Sequence, residues 1–137
     1  MDRFVRNFIV MSIIYLAVAS VLGIAMVSNP SLMHLKFLHS HLNMLGWVSM
    51  MIFGVGYHIL PRFAGKPIKS VGMGEIQFWL ANIGLVGMLL FYVLDSFHPE
   101  VSLYRGLSTA FGVVEVISIF LFFYNMLTTL LTKPAAA

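Results

Sequence analysis

The sequence predicts an all-α integral membrane protein, a bundle of four transmembrane helices. Of its 137 residues, 60% are hydrophobic and 9% charged, with a mean hydropathy of +0.94. A soluble domain is about half apolar and about a quarter charged. The apolar residues fall in long continuous runs and do not alternate, which reads as helix rather than strand. Short stretches marked by proline, glycine and charge separate the runs. A bilayer core offers no water, so each spanning segment must satisfy its own backbone hydrogen bonds.

The first run covers residues 7–28. It is too long for the apolar core of a signal peptide and lacks a small-residue cleavage site before the next charges, so a retained helix is expected. Asn29-Pro30 ends it. Residues 31–38 read as a short amphipathic connector carrying Lys36. The second run covers residues 37–60. Pro61, Gly65, Pro67, Gly72 and Gly74 then break the helix and make a loop. The third run covers 75–94, and Asp95, His98, Pro99 and Glu100 form the next loop. The fourth covers 103–131 and is closed by Lys133-Pro134. Short loops without a linker predict one membrane domain over 1–137, with its helices running up-down-up-down.

Arg3, Arg6, Arg62, Lys66, Lys69 and Lys133 fall on one side of such a bundle, and Lys36 and Arg105 on the other. The positive-inside rule then places both termini inside. The expected location is the inner (cell) membrane of a bacterium or archaeon, as a multi-pass protein in the lipid bilayer. The net charge of +3 is small, and no nucleic-acid partner is expected. There are no cysteines, which excludes disulfides, zinc–thiolate sites, iron–sulfur clusters and the Cys-x-x-Cys-His haem attachment. No P-loop, dinucleotide fingerprint or nucleophile–base arrangement is present. The ten methionines are scattered and read as packing.

Three of the five histidines, His34, His39 and His41, lie within eight residues at the mouth of the second run. Histidine in a spanning segment is costly and rare, so its default reading is functional. A neutral imidazole nitrogen is a good axial ligand for haem iron, and without cysteine any haem is non-covalent. The other reading is a polar helix entrance whose rings bond to headgroups, water or a neighbouring helix. Residues two apart on a regular helix point about 200° apart. His39 and His41 would therefore serve two flanks rather than chelate one iron. His58 lies about 26 Å along the helix from His41 at the usual rise, so the two do not share a metal within one chain. His34, His58 and His98 sit at membrane boundaries and read as interfacial.

Other residues join this candidate site. Gly46, five residues beyond His41, is within a porphyrin's footprint. Asn43 and Trp47 are placed to hydrogen-bond or stack beside such a ring. Gly54 and Gly56 read as helix-packing glycines. Arg105 opens the fourth run at the level of His39 and His41, where it suits a propionate or serves as an interfacial anchor. Glu115 is the one acid deep in a span. It reads as a proton site, or as a neutral carboxyl bonded across helices to Asn82, Gln77 or a serine.

The stretch His39-Ser-His41-Leu-Asn43-Met-Leu-Gly46-Trp47…Gly54-Val-Gly56-Tyr57-His58-Ile-Leu-Pro61-Arg62 resembles a haem-ligating helix of haem–copper oxidase subunit I. The likeness is strongest to C-type oxidases and nitric oxide reductases. In that family a helix carries a low-spin haem ligand in a His-x-Asn context and runs through glycines to a Tyr-x-x-x-Pro end. His41-Leu-Asn43 and Tyr57…Pro61 match this pattern. His39-Ser-His41 is also similar to the family's His-x-His pair, which serves two haems. The family's subunit has twelve helices in three pseudo-repeats of four, and this chain resembles one repeat, or one third of the subunit.

The resemblance implies a homotrimer in which haem b, held by His39 and His41, lies between protomers near the outer face. It implies electron transfer, with a redox partner or a quinol. Gas (NO or O2) binding or reduction is the alternative, with copper as a further candidate metal. Nothing in spans three and four supplies the extra metal ligands of the oxidases and reductases. A reading from another class is a non-haem subunit, handling copper or zinc or transporting with Glu115 carrying protons.

Overall fold

A computed structural model describes residues 1–131. Lys133 and Pro134, which entered the expected topology and the expected end of the fourth span, lie outside the described residues. Four helices are long and apolar enough to cross a membrane: α1 (Arg3–Ser28), α2 (Pro30–Phe63), α3 (Val71–Phe97) and α4 (Ser102–Leu131). No strand occurs among the described residues.

The helix ends follow local chemistry. Asn29 is extended, and its side chain accepts from the Ser31 backbone N–H (3.1 Å) and hydroxyl (2.7 Å). It thereby caps a helix that begins at Pro30, where a missing N–H costs nothing. The expected connector is thus helical: Pro30–Leu35 is a 3₁₀ segment that runs straight into Lys36–His41. At the other end, Pro61 does not stop α2. It removes one hydrogen bond in the last turn, and the helix goes on to Phe63. The break comes at Gly65, whose φ of 62° reverses the chain. Ser70 restarts it by accepting the Met73 N–H at 3.1 Å. Gly72 and Gly74, expected in the loop, therefore lie inside α3. Gly74 is small because the Phe4 ring packs on it; a Cβ would meet that ring at 2.5 Å.

Neighbouring helices run antiparallel. Gly46 and Gly54 of α2 receive Tyr15 and Phe8 of α1, while Gly84 and Gly87 of α3 receive Glu115 and Phe111 of α4. These glycines are the small residues that let membrane helices approach closely without a hydrophobic drive. The two hairpins meet in an aromatic cluster at the end carrying Arg3, Arg62 and Lys66. Phe8 packs edge-on against Phe53 and Phe78, and Phe122 lies against Phe53 and Tyr57. Along α1, Ile13, Val18, Val21, Ile24 and Val27 remain exposed, as residues facing lipid tails do.

Candidate functional site

The histidine end is built on a helix that changes its winding. α2 passes from α-helix at Lys36–His41 to a π-helical stretch at Leu42–Ser49, then back to α-helix at Met50–Phe63. The Ser49 hydroxyl donates to the Met44 carbonyl five residues back, at 2.9 Å. π-Helical turns are rare, usually single, and concentrated at functional sites. This one begins directly after His41 and contains Asn43, Gly46 and Trp47. Gly46 sits against the Cβ and Cγ of Tyr15, each 2.8 Å from where its own Cβ would be. Close approach to α1 is therefore one role of this glycine.

His39 and His41 point to different helices. His39 faces α1: its Nδ1 lies 3.1 Å from the Ala19 carbonyl, and its ring fills the notch left by Gly23. His41 keeps to its own helix, with Nδ1 2.9 Å from the Phe37 carbonyl. Its ring lies 3.8 Å from that of Phe37, which stacks on Tyr92 of α3 at 4.3 Å. A carbonyl only accepts, so in both histidines the neutral ring carries its proton on Nδ1 and leaves a lone pair on Nε2. That is the tautomer a metal-ligating histidine uses, oriented by a backbone acceptor.

The two rings then part company. The Asn43 amide donates to the His39 carbonyl (2.9 Å) and reaches His39 Nε2 at 3.3 Å. Among the described residues no such contact is made to His41 Nε2. His34 also donates from Nδ1, to the Ser31 carbonyl at 2.7 Å. His58 shows the opposite tautomer, since Arg62 donates to its Nδ1 at 2.7 Å.

A groove of about 380 Å³ opens between Phe37, Met88, Ser108, Gly112 and Val113, beside the ring that stacks on His41. Arg105 does not join this cluster. Its Nε lies 3.4 Å from Asp95 Oδ2, and its side chain is 71% exposed. His98 lies 3.3 Å from Glu100. No group of three or more metal-ligating His, Cys, Asp or Glu side chains occurs among the described residues.

Glu115 is 2% exposed, and neither carboxyl oxygen has a hydrogen-bond partner among the described residues. Each cross-helix partner expected from the sequence is absent. Asn82 accepts from the Tyr15 hydroxyl at 2.8 Å and donates to the Phe78 carbonyl. Gln77 is itself buried without a partner. Ser118 donates to the Glu115 carbonyl and not to its side chain.

Several residues of the site escaped the sequence reading. Phe37 stands one turn before His41, a spacing that places two side chains on one face. Ala19 and Gly23 form a small-x-x-x-small pair, the usual mark of a close helix contact. Both signals were in the chain. The π-helical stretch had none.

No protein-family model matches the chain. Two curated proteins are similar to part of it. One is the Cbb3-type cytochrome c oxidase subunit CcoN1 of Stutzerimonas stutzeri, 43% identical over 49 residues, which are 35% of this chain and 10% of that protein. The other is cytochrome c oxidase subunit 1 of Rhodobacter capsulatus, 41% identical over 49 residues, 35% of this chain and 9% of that protein. The matched segment thus spans about a tenth of each relative's length. Over that segment the chain is similar to these two cytochrome c oxidase subunits.

Proposed function

We propose that this chain is a membrane domain that binds haem b and carries electrons, in which His41 Nε2 would hold the iron. One observation carries the reading. The Nδ1–H of His41 is fixed on the Phe37 carbonyl, which leaves an Nε2 lone pair without a hydrogen-bond partner among the described residues, and the Phe37 ring against it lines an open groove. The similarity to oxidase subunit I supports it. The residues present fit a haem: one prepared imidazole, an aromatic neighbour in Phe37, and a groove floored by Gly112. Haem bound there supplies a one-electron couple.

The chain's own residues orient and shield. The Phe37 carbonyl sets the tautomer of His41. Tyr92 holds Phe37 in place. Asn43 occupies the Nε2 of His39, so His39 acts chiefly by anchoring α2 to α1. No second imidazole of the same chain stands beside His41. A second ligand would come from a second copy, in a homotrimer with both termini and the Arg62–Lys69 loop inside. An open position in place of that second ligand is the gas-binding reading. Glu115 is the site proposed to hold a proton.

The test is the reduced-minus-oxidised visible spectrum of detergent-purified protein made with ample haem, beside His41→Ala and His39→Ala. Sharp low-spin bands, lost in His41→Ala and retained in weakened form in His39→Ala, are expected. A high-spin spectrum that shifts with carbon monoxide would favour gas binding. No haem absorbance, or bands indifferent to His41→Ala, would overturn the reading.

A further inference from the structure

The other end of α2 carries a second cavity, of about 320 Å³, between the end of that helix, the loop after it and the start of α1. Its polar lining is nearly all donor. Arg62 spends one guanidinium nitrogen on the Nδ1 and carbonyl of His58. The guanidinium carries five N–H groups in a fixed fork, so its other nitrogens remain to donate, and it makes no ion pair among the described residues. Because His58 accepts on Nδ1, its neutral ring carries the proton on Nε2 and is a donor as well. Lys66 brings an ammonium, anchored on the Leu130 carbonyl at 2.7 Å. Tyr57 accepts from Asn125 at 3.4 Å, and its own hydroxyl hydrogen has no acceptor among the described residues. Against these donors the lining offers one carboxylate, Asp2.

The remaining walls are apolar, Ile68 and Val71 among them. Phe63, next to Arg62, is 85% exposed, and Val71 is 45% exposed. Donors therefore stand at the end of the spans beside side chains suited to acyl chains. The geometry points to a binding site for the phosphodiester of an anionic phospholipid, held by Arg62, His58 and Lys66. A guanidinium binds phosphate through paired N–H groups. Basic pockets between membrane helices take anionic headgroups in this way. A zwitterionic lipid would bring its own cation against Arg62 and Lys66, so the site selects net negative charge.

The full chain, delipidated in detergent, is mixed with phosphatidylglycerol or with phosphatidylcholine, and bound lipid is counted by native mass spectrometry. Retention of phosphatidylglycerol is expected to exceed that of phosphatidylcholine about fivefold, the ratio that one basic residue near an anionic group supplies. Arg62→Gln lowers phosphatidylglycerol retention by a similar factor. Lys36→Gln, at the opposite end, leaves it unchanged. Asp2→Asn raises it, a gain that misfolding does not produce. Equal retention of the two lipids would overturn the proposal, as would loss of retention in Asp2→Asn. Displacement by inorganic phosphate at equal concentration would also overturn it, by making the site one for a free anion.

Discussion

Replacing Gly84 with alanine tests how α3 and α4 are held. A Cβ at Gly84 would lie 2.6 Å from the backbone nitrogen of Glu115, 2.9 Å from its Cα and 3.1 Å from its Cβ. The two nearest of these atoms are main chain, so no rotamer change relieves them. To bring the shortest contact to the 3.4 Å of ordinary van der Waals packing, the helices must part by about 0.8 Å. Overpacking of this kind costs about 1–3 kcal/mol, against a gain of about 1 kcal/mol for alanine over glycine in a helix. Because the two nearest atoms are main chain, the cost falls in the upper part of that range, about 2–3 kcal/mol, and a net loss of about 1–2 kcal/mol follows. Gly106 is the control, on the same α4, exposed, with nothing within 4 Å of its Cβ position. Gly106→Ala keeps only the helical gain. Unfolding in mixed micelles titrated with dodecyl sulfate, followed by far-ultraviolet circular dichroism, reads both variants. Equal stability of Gly84→Ala and wild type, or equal damage by both substitutions, would refute the reasoning.

Other expectations use the same assay. Tyr15→Phe removes the 2.8 Å bond to Asn82 that joins α1 to α3, and should cost about 0.6–1.7 kcal/mol, the range for hydrogen bonds between membrane helices; no change would mean the bond is idle. Asn125 holds both backbone groups of Ser70, accepting from its N–H at 3.1 Å and donating to its carbonyl at 2.8 Å. Asn125→Leu leaves the Ser70 N–H unpaired and its carbonyl with only the Gly74 N–H at 3.4 Å, and should cost about 1–3 kcal/mol, with the entry to α3 fraying first in hydrogen exchange. Glu115→Leu replaces two buried oxygens that have no partner and should raise stability by about 1–3 kcal/mol. A fall would show that the carboxyl has a partner in the membrane. Phe37→Ala should shift and broaden any haem bands of the wild type, by unseating the carbonyl and ring that orient His41, while leaving unfolding within about 1–2 kcal/mol of wild type at this half-buried position.

The helices were legible because bilayer thickness demands long apolar runs, and four such runs are written in the chain. Their ends were less so. Pro61 and Gly74 look like breakers in one dimension. In the folded protein Pro61 costs only a late hydrogen bond, and Gly74 is small to admit Phe4, seventy residues earlier. The histidine cluster was legible as a cluster. Its two members were not separable, because a regular helix treats His39 and His41 as equivalent opposite flanks. Arg105 was legible as a cation opening the fourth run, and its partner, Asp95 ten residues before it at 3.4 Å, was not. Glu115 was legible as anomalous, and its lack of any partner was not.

The sequence by itself determined the solvent of this protein, the number of its crossings, the end that gathers histidines and the end that gathers cations. Each of these follows from composition along the chain, because burial in lipid tests residues one segment at a time. The tertiary structure alone decided that α2 winds as a π-helix after His41, that Ala19 and Asn43 occupy the ring of His39, and that His41 keeps a free nitrogen. Those outcomes depend on which backbone carbonyl lies within 3 Å or so of which ring. For His39 that carbonyl belongs to another helix, twenty residues away, and only packing brings it there.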